Sequence, residues 1–282
     1  MITERVDLPS PSPDSAPTSL YQPIVSDITT ASFTVSWVSN VPTNASVEYC
    51  EFSSGTCDAT HFPQLPSIVN DAQPFLQSCV GFVSVYSLNA GTTFYYRAKA
   101  NSSAGDAGYY PSTPPYPSVA TKTDTNPGIS SNPTFNVAPY YDKNGNLAWD
   151  GEPTDAKQRY FMVYLNHTGA ETLADRGNGD SGWIATMPAS NLRNAGASGQ
   201  PHALSISDVV SFFVIGVYDN GSGPAVWTNR TLSYTLPDPV VPVVDIVDRT
   251  EYNVPETCTG TVAAASAMTV VILSIRLKQR GP

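Results

Sequence analysis

Basic residues are scarce in this chain. Its 282 residues include 14 Lys and Arg against 24 Asp and Glu, a net charge of −10, and only 13% of residues are charged. That share is about half of what is usual for a soluble domain. Neutralising a phosphate backbone takes clustered Lys and Arg, so nucleic acid is excluded as a partner, and so is attraction to an anionic membrane surface. Histidine is rarer still, limited to His61, His167 and His202. No Cys-x-x-Cys, paired metal-ligand motif, phosphate loop or dinucleotide fingerprint occurs, so no metal or other cofactor is expected. The opening Met1-Ile-Thr-Glu-Arg-Val-Asp7 is polar with no apolar core after it, and no signal peptide is legible.

Turn formers and aromatics are plentiful: 25 Pro, 19 Gly and 15 Tyr. With the abundant Ser, Thr and Asn, this is the composition of an all-β, turn-rich secreted protein. The length suits two domains with tails. Phe33-Thr-Val35-Ser-Trp37-Val alternates apolar and polar with β-branched and aromatic residues, which predicts a half-buried strand. Val83 to Leu88, a turn at Gly91, and Phe94 to Ala98 predict two more strands. A buried Trp37 and the spacing Leu88, Gly91, Thr92, Tyr95 resemble the strand-B Trp and the Leu-x-x-Gly-Thr-x-x-Tyr corner of fibronectin type III domains. The resemblance covers residues 21–123.

A Pro, Gly, Ser and Asn-rich linker is expected over 124–133, and a second all-β domain over 134–235. Arg159–Leu165 and Ser211–Tyr218 read as its strands, the latter a buried central one, with Asp219-Asn-Gly-Ser-Gly223 as a turn. The stretch Gly182-Trp183 followed by Asn191-Leu192-Arg193 resembles Ig-like modules of bacterial cell-surface proteins. There, such modules follow a fibronectin type III-like one. The fold class expected is two tandem Ig-like or fibronectin type III-like β-sandwiches with extended ends.

Residues 1–20 are dense in Pro and predict an extended arm with no core of its own. Residues 236–282 open with a Pro/Val tract and end in an apolar run. Thr259 to Ile275 is uncharged and precedes Arg276, Lys278 and Arg280, which allows a membrane span over 259–275. Val271, Leu273, Ile275 and Leu277 also alternate with Ile272, Ser274, Arg276 and Lys278, the pattern of an amphipathic strand that a partner subunit would receive.

The four cysteines, Cys50, Cys57, Cys79 and Cys258, allow three pairings, and spacing does not choose among them. Structural disulfides outside the cell are the favoured reading, with buried free thiols as the alternative. Five glycosylation sequons begin at Asn44, Asn101, Asn166, Asn220 and Asn229. Gly179-Asp-Ser181-Gly182 resembles a protease nucleophile loop, but no His stands in a catalytic context and Trp183 replaces the following Gly, so a turn is expected. Asp142-Lys-Asn144-Gly-Asn146 mismatches a calcium loop and reads as a hairpin turn, as does Asp175–Asp180, so calcium is not expected. Tyr109, Tyr110 and Tyr116 among prolines suit strand-edge packing better than a sugar-stacking surface.

These resemblances imply a non-enzymatic, glycosylated, extracellular or cell-surface structural protein. It would assemble with copies of itself into a homopolymer by β-augmentation, or serve adhesion to other cells or surface glycans. The alternatives are a membrane-anchored adhesin or receptor and a carbohydrate-binding accessory module.

Overall fold

A computed structural model of the chain describes residues 5–7, 17–72, 78–102, 105–125, 128, 130–138, 158–178, 185–219 and 226–247. Every regular element among them is a β-strand, apart from one 3-10 turn at Ala189–Asn191. The fold is two β-sandwiches, as the strand periodicity required.

Strand β1 (Arg5–Asp7) precedes the first sandwich, which holds β2 (Ser19–Ser26), β3 (Phe33–Glu51), β4 (Ser67–Asn70), β5 (Ser78–Val85), β6 (Thr93–Asn101), β7 (Ala107–Tyr110) and β8 (Ser118–Ala120). The 19-residue β3 belongs to both sheets. Phe33–Val38 pairs with β2 and β5, and Asn44–Glu51 pairs with β6, with β4 on the other side. The change of sheet occurs where the β3–β5 register shifts between Val38 and Thr43. Pro42 there has no N–H to offer a ladder, and the irregularity bends the strand.

Trp37 is fully buried among Phe33, Val35, Val47, Val83, Phe94 and Tyr96. Its strand partner is Gly81, where a Cβ would lie 2.3 Å from the indole, so only glycine lets the ring lie flat on β5. The corner differs from expectation in one residue. Gly91 takes a positive φ of 63° and donates its N–H to Lys122 O, but Tyr95 faces outward against Phe52. Phe94 and Tyr96 take the inward positions, because three successive aromatics in a strand must alternate faces.

The second sandwich holds β9 (Thr134–Ala138), β10 (Gln158–Asn166), β11 (Leu173–Asn178), β12 (Ala185–Pro188), β13 (Val209–Asp219), β14 (Val226–Thr235) and β15 (Val243–Val247). One sheet runs β1-β14-β13-β10-β11 and the other β12-β9-β15. Phe135, Val163, Leu165, Leu192, Phe212, Val214 and Tyr234 pack between them.

Three expectations at segment ends are corrected. The domain does not stop at 235: Leu236, Val244 and Ile246 are buried in its core, and β15 pairs in parallel with β9. The arm does not run to 20: β2 of the first sandwich begins at Ser19, and within the arm Arg5–Asp7 pairs with Val226–Thr228. Asp175–Asn178 is strand, not turn: its backbone pairs with β10, and the Asp175 carboxylate accepts the Thr186 N–H at 2.8 Å.

The two sandwiches lie face to face. Val38 and Val80 from the outer side of β3 and β5 are buried against Met162, Tyr164 and Ile215 from β10 and β13, with Ile24, Phe82, Ala174 and Phe213 at the margin. Both β10 and β13 are therefore covered on both faces. That is why Met162-Val-Tyr-Leu165 and Phe212-Phe-Val-Ile215 are unbroken apolar runs.

Candidate functional site

The loops singled out for chemistry lie mostly beyond the described residues. Ser181 and its loop fall there, as do Asp142 to Glu152. The three histidines have local partners. The His61 ring meets the Asp58 carboxylate at 2.9 Å. That carboxylate also accepts the N–H groups of Gly55, Thr60 and His61 and is held well below the usual range. His167 and His202 bond to each other, Nδ1 to Nε2 at 2.7 Å. His202 Nδ1 meets Asn194 Oδ1 at 2.7 Å, and His167 Nε2 lies 3.7 Å from Asp208. Burial and the neighbouring His167 push His202 below the ordinary histidine range. Among the described residues no group of three or more His, Cys, Asp or Glu is placed to hold a metal ion.

The modification candidates are dispersed. Asn44 is exposed and faces Asn101 directly across the β3–β6 ladder. The Asn166 side chain is engaged at both ends, accepting from Thr172 Oγ1 at 2.7 Å and donating to Tyr164 O at 3.4 Å. Asn229 lies in β14, and Asn220 is outside the described residues. Cys50 and Cys57 form a disulfide that closes the loop after β3. Cys79 lies in β5 and Cys258 beyond the described residues. The aromatic surface is used internally. Tyr110 is core, Tyr116 packs on Phe62 at 5.1 Å, and the Arg97 guanidinium sits 4.3 Å from the Tyr109 ring centre and 4.7 Å from that of Phe62. Glu48 holds Arg97 at 2.6 Å and Lys99 at 3.3 Å from beneath.

The seam between the sandwiches carries its own polar frame. Ser36 Oγ and Tyr164 OH are 2.7 Å apart within it. Arg176 grips Asp71 with two bonds of 2.6 Å and lies over the Phe82 ring at 5.3 Å. The Asp27 N–H donates to Thr172 O at 3.0 Å, while its carboxylate accepts from Ala174 N at 3.3 Å and from Ser26 Oγ at 2.8 Å. Burial pushes that carboxyl up to about 6. The expected linker starts as part of this frame: the N–H groups of Thr123 and Asp124 donate to Ala197 O and Ser198 O, and Lys122 pairs with Glu171 and Gly196 O.

The feature with most bearing on assembly is how the second sandwich is closed. By connectivity β9, β10, β11, β12, β13 and β14 occupy the B, C, C′, E, F and G places of an Ig-type sandwich. The place beside β9 belongs in such a sandwich to the preceding strand, A. Here β15 fills it, arriving from the far end of the chain and running parallel. Val244 and Ile246 plug the core, and Asp245 bonds outward to Asn136 Nδ2 at 2.9 Å. The sequence signal was the alternation Val244-Asp-Ile246, which Pro237, Pro239 and Pro242 disguised as an extended tail. Val271, Leu273, Ile275 and Leu277 lie outside the described residues, and among the described residues no helix is long and apolar enough to cross a membrane.

No protein-family model and no curated protein matches the chain. Among solved structures it is similar to the chicken CNTN1 FN1-FN3 domains, at 9% identity and a TM-score of 0.29 over 82% of this chain and 69% of that one. It is also similar to a two-fibronectin type-III-domain segment from chicken tenascin, at 11% identity and a TM-score of 0.24 over 78% of this chain and 99% of that one.

Proposed function

We propose that this chain is a non-catalytic structural subunit of a glycosylated extracellular filament or surface appendage, joined copy to copy by strand addition between sandwiches. The observation that carries this reading is the borrowed closure of the second sandwich. β9 is paired on one side by β12 and on the other by β15, which comes from the segment after β14; the same β9–β15 pairing made between copies would join them. Repeating such a head-to-tail contact without closing it gives a fibre. The Cys50–Cys57 disulfide supports an oxidising, extracellular setting. Among the sequons whose side chains are described, exposed Asn44 is the one best placed to carry a glycan. Val271, Leu273, Ile275 and Leu277 follow the donor segment in sequence and add apolar contacts on the neighbouring copy.

Negative-stain electron microscopy of the full chain without detergent tests this reading. Long uniform fibres are expected, and deletion of residues 259–282, which spares β15 but removes the added apolar contacts, is expected to reduce them. Monodisperse particles from the full chain overturn the filament, and recovery only in detergent points to a membrane-anchored adhesin instead.

A further inference from the structure

We propose that the slot beside β9 is an exchange site, filled in the assembled protein by β15 of a second copy of this chain. The inference rests on the strand-addition reading above and names its donor, its acceptor and its register. In the slot, Val243 to Val247 pair with Thr134 to Ala138, Val244 and Ile246 are buried, and Asp245 meets Asn136. None of these contacts depends on β15 coming from the same chain, so a second copy supplies the identical set.

What differs between the two closures is the hinge. Leu236 is fixed in the core, and its N–H and C=O are bonded to Asp208 and Ser207. From there, residues 236–242 must cross from one sheet to the other and reverse direction, using a segment that contains Pro237, Pro239 and Pro242. Sheets of a sandwich lie about 10 Å apart, whereas seven residues in the extended form that prolines favour reach about 20 Å. In the closed form the segment bends, and Val240 and Val241 pack against the core, so a second copy must supply those contacts as well. The closing strand is also held weakly for a core element. It is five residues long, lies at a sheet edge, and pairs in parallel, the less stable arrangement per residue. A short tether gives the strand of the same chain an effective concentration on the order of mM. Concentrated subunits compete with that by supplying the same contacts from a neighbouring copy.

The test is a full-length protein carrying Asn136→Cys and Asp245→Cys, with Cys79→Ser and Cys258→Ser to remove other thiols that could link copies. It is concentrated, oxidised mildly and separated on a non-reducing denaturing gel. The site is exposed, so the substitutions leave the core intact. Covalent oligomers that collapse to monomer on reduction are expected. A ladder supports exchange within an open chain of copies. A dimer band without a ladder supports reciprocal exchange while counting against the filament. Monomers only, whether cross-linked internally or with both thiols free, overturn the exchange, and fibres seen in that same sample leave the filament standing without it.

Discussion

Asp27 shows how one residue can set the pH response of a seam. Its φ of 51° belongs to the left-handed region, which Asp tolerates better than most side chains. That turn aims its carboxylate at the Ala174 N–H of the other sandwich. Burial raises its pKa from the model-compound value of 3.8 to about 6, so the folded protein holds this proton more tightly than the unfolded chain. Stability from this group is therefore complete below the unfolded value and is lost as pH rises through about 6. The complete loss comes to about 3 kcal/mol. Asp27→Asn keeps an oxygen for Ala174 and removes the titration. In urea unfolding it should gain on the wild type by about 2 kcal/mol between pH 4 and pH 8. A difference between the two proteins that stays constant with pH would refute this. Such a role was not legible in the sequence, where Asp27 is one polar residue before a strand. Its partners across the seam lie 145 residues and more along the chain. Trp37, by contrast, was legible because its burial follows from alternation within a single strand.

Among the elements, the loop over 193–202 deserves a pH test of its own. It bonds Thr123 and Asp124 of the first sandwich through Ala197 and Ser198, and Gly169 and Glu171 of the second through Ala195 and Arg193. Its base is the His167–His202 pair, faced by Asp208, Asn194 and no other described charged partner in hydrogen-bond range. A single proton between the two rings makes the bond, and a second proton breaks it. Because the folded pKa of His202 is lowered, its contribution is present above the unfolded value of 6.5 and is lost as pH falls below it. Hydrogen-exchange protection of the Thr123, Asp124 and Ala195 amides, corrected for the intrinsic pH dependence of exchange, should drop between pH 7.5 and pH 5. His202→Gln should flatten that drop; protection that falls equally in the variant would show the pair to be irrelevant. Strand positions were legible because period-two alternation marks them, as in β6 and β13. The bridging role of this loop was not, since the sequence 194–200 has no periodicity and reads only as a connection.

The molecule as a whole behaves as one body if the seam is as well knit as its groups indicate. Val38, Val80, Met162, Tyr164 and Ile215 are buried there, and each such side chain contributes about 1.5–3 kcal/mol on burial before entropy is subtracted. Calorimetry should show a single unfolding transition for the wild type. Ile215→Asp, which sets a charge between the sheets, should split it into two; two transitions in the wild type would contradict a cooperative seam. The sequence held the sign of this contact in the unbroken apolar runs of β10 and β13. A run of that kind says that both faces are covered, and leaves open whether the cover is the same domain's second sheet or another domain. The tandem picture of beads on a linker therefore missed it.

The pairing of β1 with β14 has a mechanical consequence. The first described strand of the chain and the last, β15, both belong to the second sandwich, so the first sandwich is spliced into the covalent path without lying along it. Tension between the two ends would enter β14 through the three residue pairs of β1 and leave through β9 and β15. The first sandwich, with its exposed Asn44, would ride beside that line of force, unstretched until β1 tears away.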